Sequence, residues 1–208
     1  MTINDDSIFN PSGNNPQNGF RRAELLAGTA DTSVDFFTGQ RTLFFSIQSD
    51  AARALNLSHE YQMVFSESAD FSTNQIVLKT GTILGGSAAQ IAAPNTLRLF
   101  GNVNVNPPKE LFSIAFTAGW HNFGLQLDFT KNTVQVLYSA GQAALAAVGG
   151  AQANDLSGQG ELHFGLLKKP TDSADIVNSG FQEAGINEGI IYGGIFQEAV
   201  AANCVSAL

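Results

Sequence analysis

Along most of the chain, apolar and polar residues alternate in short runs separated by glycine, proline and asparagine, the period of two expected for β-strands with one buried face. Roughly ten such runs follow in order: FRRAEL, RTLFFSIQ, EYQMVFSES, NQIVLKTGTIL, TLRLFGNVNV, LFSIAFTA, WHNFGLQLDF, TVQVLYSA, ELHFGLLKK and GIIYGGIFQEA. The polar TKN between the seventh and eighth is a hairpin turn. Many short strands at this spacing predict an all-β, jelly-roll β-sandwich of two antiparallel sheets. Two segments read differently. SDAARALN has a capping serine and three alanines and predicts a turn or two of helix. GQAALAAVGGAQA is small and apolar, but its glycines make it a loop crossing a sheet edge. Residues 1–19, rich in Asn, Pro, Gly and Ser, read as an irregular lead-in.

Composition agrees with strands. With 208 residues the chain is long enough for one core and short for two, so 1–208 is expected to be a single domain. Its 16 Phe and 21 Gly suit sheets packed through aromatics and turned at glycines. The net charge of −8, with ten Lys and Arg, leaves no basic stripe for phosphates or anionic lipid and argues against nucleic acid and membrane. A neutral ligand such as carbohydrate fits this surface. No run is long and apolar enough to span a bilayer, and MTINDDSIF lacks the basic start and apolar centre of an export signal. One cysteine, Cys204, allows no internal disulfide.

Alternation also sorts the polar residues by face. Arg22 and Glu24 share one face of the first run; Glu60, Gln62 and Val64 share one face of the third, with Tyr61, Met63 and Phe65 on the other. Two strands thus each offer a polar face opposite an apolar one. An ordinary solvated face with a cross-strand ion pair would read the same way.

Longer phrases narrow the choice. GFRRAELL, LNLSHEYQMVF, GWHNFGLQLDFTKNTVQVLYS, NDLSGQGELHFGLLKKPT and SGFQEAGINEGIIYGGIF together resemble the fungal β-glucanases of glycoside hydrolase family 131, from about Phe9 to Cys204. RRAEL also resembles the arginine and glutamate strand of jelly-roll polysaccharide lyases, a more distant relation. The resemblance implies a secreted, cofactor-free hydrolase acting on β-1,3/1,6- and β-1,4-glucans with two essential glutamates in an open groove. By position these are Glu24 and Glu60, with Glu67 the competitor for the second place. Glycoside hydrolysis needs such a pair, one carboxyl to protonate the leaving oxygen and one to activate water or attack the sugar; the family points to inversion. Arg21 and Arg22 would keep Glu24 ionised as base, and the apolar neighbours of Glu60 would keep it protonated as acid.

Arg22, Gln62, His163, Tyr192 and Glu188 are the expected substrate-binding residues. For His163, groove lining and a hydrogen-bonded rim position stand equally; for Tyr192 the alternative is a core tyrosine. Trp120 reads as a core aromatic rather than a sugar platform. No metal set is expected, because His59, His121 and His163 lie far apart and no calcium loop appears. Asn56-Leu57-Ser58 is a glycosylation sequon. The expected partner is a β-glucan poly- or oligosaccharide, with the protein a monomer. Two other readings remain: a lyase on a uronic-acid polymer using Arg22, His163 and Tyr192, and a non-catalytic glycan-binding module. Family members carry an export signal and a further segment before the counterpart of SIF, where this chain begins. An unpaired sheet edge and a Cys204 lacking its partner are expected from that.

Overall fold

The structure is a computed structural model, and it describes residues 1–11, 13–29 and 34–200. In chain order the strands are β1 Thr2–Asn4, β2 Arg21–Thr29, β3 Gln40–Ser49, β4 Glu60–Ser68, β5 Asn74–Gly81 and β6 Thr96–Phe100. They continue with β7 Glu110–Ala115, β8 His121–Asp128, β9 Thr133–Ala140, β10 Ala146–Ala153, β11 Gln159–Lys168 and β12 Asn187–Ala199. They form two six-stranded sheets, ordered β1-β12-β3-β8-β9-β10 and β2-β11-β4-β5-β6-β7. Every neighbouring pair is antiparallel. This is the predicted jelly-roll sandwich.

The inward residues of both sheets meet in one apolar core. Leu43, Phe45 and Ile47 of β3 and Phe123, Leu125 and Leu127 of β8 supply one side. Met63, Val64, Ile76, Leu78, Phe164 and Leu166 of the other sheet supply the facing side. Phe45 stacks on Phe123 at 5.0 Å and meets Phe164 edge-on at 5.7 Å, so aromatic contacts join the two layers. Trp120 lies against Gly193 of β12, on which an added Cβ would stand 3.4 Å from the indole.

Four local expectations are corrected. Ser49–Asn56 forms no helix: Ser49 ends β3, and the rest is turn held by Asp50, whose carboxylate accepts from the Ala52 backbone at 2.9 Å and from Arg53 at 3.0 Å. The expected loop GQAALAAVGGAQA contains β10, which pairs with β9 as an exposed edge strand with a register shift between Val148 and Gln152. Its small residues bury little, so hydropathy carries no strand signal there. The lead-in contains β1, tied to β12 by the Thr2–Gly189 to Asn4–Asn187 register. A single helical turn, α1 at Ala88–Ile91, opens with a Ser87 and Gln90 capping box that the sequence reading passed over. The expected isolation of Cys204 falls outside the described residues.

Candidate active site

On the second sheet, β2 and β11 pair in step from Arg21–Lys168 to Leu26–His163, and Ala27 is the extra residue of a bulge before Gly28 meets Leu162. Leu162, Phe164 and Leu166 enter the core, leaving Glu161, His163 and Gly165 on the opposite face beside Glu24 and Arg22. On β4 the alternation breaks. Opposite β5, Gln62 and Val64 pair with the adjacent residues Lys79 and Leu78, so Met63 is the extra residue of a β-bulge. Tyr61, Met63 and Val64 all belong to the core, whereas Phe65, one residue on, stacks on the His163 ring at 4.3 Å. The bulge inverts the parity of the strand and turns Glu67, not Ser66, toward His163.

The result is a cluster in which one imidazole meets three carboxylates. His163 Nδ1 is 3.2 Å from Glu24 Oε2. Its Nε2 lies 3.2 Å from Glu161 Oε2 and 3.6 Å from Glu67 Oε2. Arg22 donates to Glu24 Oε2 through Nη2, reaches Gln17 Oε1 at 3.4 Å with Nη1, and lays its guanidinium 4.5 Å from the Phe9 ring centre. Gly165 faces Glu24 across the β2–β11 pair, and a Cβ there would come within 2.2 Å of Glu24 Cγ. Only glycine lets that carboxylate lie flat over β11.

Two of the three acids differ in character. Burial raises the Glu24 pKa, but the His163 hydrogen bond and the Arg22 charge outweigh it, and the carboxyl ends below its ordinary value. Glu67 ends above its ordinary value: burial raises it, the charges of Glu161 and Glu24 add to that, and His163 and Arg22 oppose. One group is biased toward its ionised form and the other toward its protonated form.

The remaining expected residues are placed as follows. Glu60 does not join Glu24. Its side chain is fully enclosed, paired with Lys169 at 2.7 Å and Lys79 at 3.0 Å, and it accepts the Leu84 backbone N–H at 2.9 Å. Burial opposes ionisation, but the two lysines prevail and bring its pKa down to about 2, the reverse of the protonated acid expected from its apolar sequence neighbours. Tyr192 is a strut between the sheets, its hydroxyl 2.7 Å from the Gly165 carbonyl and 2.9 Å from that of Met63. Glu188 is buried, 2.7 Å from Lys168 Nζ and accepting from the Tyr61 hydroxyl at 2.6 Å. Neither reaches the His163 cluster, because each position lies on the inward parity of its strand. Gln62 lies on the outward parity, within 3.3 Å of Asn74 Nδ2. Glu161 was missed altogether; its place two residues before His163 on a regular strand was the available signal.

Glu67, Glu161 and His163 also satisfy the spacing of a metal-ligand set, each offering an atom within 4.8 Å of the others.

Glycoside cleavage needs two carboxyls of opposite bias, and this sheet face carries such a pair. The family model described as "Glycoside hydrolase 131 catalytic N-terminal domain" matches residues 1–202, and the chain belongs to that family. It is similar to the GH131 beta-glucanase catalytic domain from Podospora anserina, with 21% identity and a TM-score of 0.71, over 97% of this chain and 71% of that one. It is also similar to the catalytic domain of the glycoside hydrolase family 131 protein from Coprinopsis cinerea, with 22% identity and a TM-score of 0.68, over 100% of this chain and 71% of that one. No curated protein sequence matches the chain. The protein is therefore a glycoside hydrolase, and no helix among the described residues is long and apolar enough to cross a membrane.

Proposed function

We propose that the chain hydrolyses β-glucans with Glu24 as general base and Glu67 as general acid. The observation that carries this reading is the His163 imidazole, bonded to Glu24 at one nitrogen and facing Glu67 from the other, with the two carboxyls shifted in opposite directions. Glu67, protonated, donates to the leaving glycosidic oxygen. Glu24, ionised, takes a proton from water as that water attacks the anomeric carbon. His163 and Arg22 fix Glu24 in place, and Gln62 lines the approach. Inversion belongs to the same proposal, and it requires the carboxyls to stand about 6.5–9.5 Å apart with room for a water beside the His163 ring, against about 5–5.5 Å in retaining enzymes.

The β-glucan assignment rests on the activity named for the Podospora relative. Cleavage of β-1,3/1,6 and β-1,4 linkages, secretion, a monomeric state and a single catalytic unit over residues 1–208 belong to the same proposal. The lyase alternative loses Tyr192 as a proton acceptor, since its hydroxyl is committed to two backbone carbonyls, and would have to use His163. A non-catalytic binding module would have no use for oppositely biased acids.

The test is a product profile on laminarin and cello-oligosaccharides, with the anomer of the first product followed by NMR. Reducing ends released initially as the α-anomer, no unsaturated sugar and no release by Glu24→Gln are expected. Binding without turnover, or an unsaturated product, would overturn the reading.

A further inference from the structure

His163 carries a second message at its other nitrogen. The ring is 5% exposed, and Nε2 has no hydrogen-bond partner among the described residues although two carboxylate oxygens lie 3.2 and 3.6 Å away. Neither oxygen lies where a proton on Nε2 would meet it in a hydrogen bond. Ligands at about 2.0–2.2 Å around a tetrahedral zinc stand about 3.3–3.6 Å from one another, and the two contacts fall close to that edge length. The other ring nitrogen is held by the Glu24 carboxylate. A carboxylate on the far nitrogen is what orients a metal-ligating histidine.

The geometry points to a binding site for a divalent first-row cation, zinc fitting best, held by Glu67, Glu161 and His163 Nε2 and inhibiting hydrolysis when filled. One imidazole and two carboxylates suit zinc and manganese, and would leave a fourth position for water. Glu67 is both a ligand of this set and the proposed general acid, so a cation held on its carboxylate occupies the group that would face the leaving oxygen. The inhibitory part rests on Glu67 being the general acid; binding itself does not. The sequence hides this set because Glu67 and Glu161 are far apart in the chain and are brought side by side only by the β4–β11 register.

Zinc alone, titrated by calorimetry into chelator-treated protein in a Cys204→Ser background, tests binding independently of activity. One saturable equivalent per chain is expected. Glu161→Gln and Glu67→Gln, each with native circular dichroism, should weaken it at least about tenfold; the surface change Asp172→Asn should not. Glucan hydrolysis by the native chain should fall as the site fills and return with chelator. Absence of saturable binding, or binding that both Glu161→Gln and Glu67→Gln leave intact, would overturn the site. Saturable binding without loss of hydrolysis would overturn the inhibition. A chain that binds zinc but hydrolyses nothing in metal-free buffer would remove the catalytic reading and leave the site standing.

Discussion

Two glutamates of β4 show how environment assigns different work to the same side chain. Glu60 is enclosed between Lys79 and Lys169, and Glu67 faces a histidine and other acids. Removing charge from Glu60 leaves two lysines buried without their partner, a loss of about 3–5 kcal/mol. Thermal unfolding of Glu60→Gln should therefore show a midpoint lowered by roughly 10 °C, with kcat of the folded fraction close to native. Glu24→Gln and Glu67→Gln should instead lose at least about 100-fold in kcat with little change in midpoint, as steady-state kinetics on laminarin would show. Tyr192→Phe should cost about 0.5–1.5 kcal/mol of stability and leave KM unchanged; a large rise in KM would return that residue to the sugar site.

Parity decides the element scale. The RRAEL stretch of β2 and the ELHF stretch of β11 were legible: alternation there sets Glu24 and His163 on the face away from the core. On β4 an extra residue at Met63 reverses the count, and no sequence feature of EYQMVFSES announces it, since Met63 and Val64 are both apolar enough to be buried. Glu67, near the end of the strand where alternation decides less, stood as the competitor to Glu60, and the bulge is what turns it toward His163. Long-range partners were equally hidden: Lys79 and Lys169, which capture Glu60, come from β5 and from the residue after β11. Gly165 tests whether strand proximity positions the base. Gly165→Ala places a Cβ against Glu24 Cγ and the Ala23 carbonyl, so overpacking should cost about 1–3 kcal/mol and kcat should drop much further than KM rises. Native kinetics in that variant would mean Glu24 does not need to lie against β11.

Over the whole molecule, acid sensitivity follows from the buried pairs. Glu60 titrates at about 2 in the folded chain against 4.5 ordinarily, so its contribution is complete above pH about 4.5 and is lost as pH falls toward 2. Urea unfolding across that window should show stability declining, with a shallower decline in Glu60→Gln. Activity has a different window. A base with a lowered pKa and an acid with a raised one produce a bell whose alkaline limb belongs to Glu67 and whose acid limb belongs to Glu24. The pH dependence of kcat/KM for glucan hydrolysis by Glu67→Gln beside the native chain therefore tests the central claim most directly. A native bell whose alkaline limb disappears in the variant, on a rate at least about 100-fold lower, is the predicted result; a near-native rate with both limbs intact would contradict it.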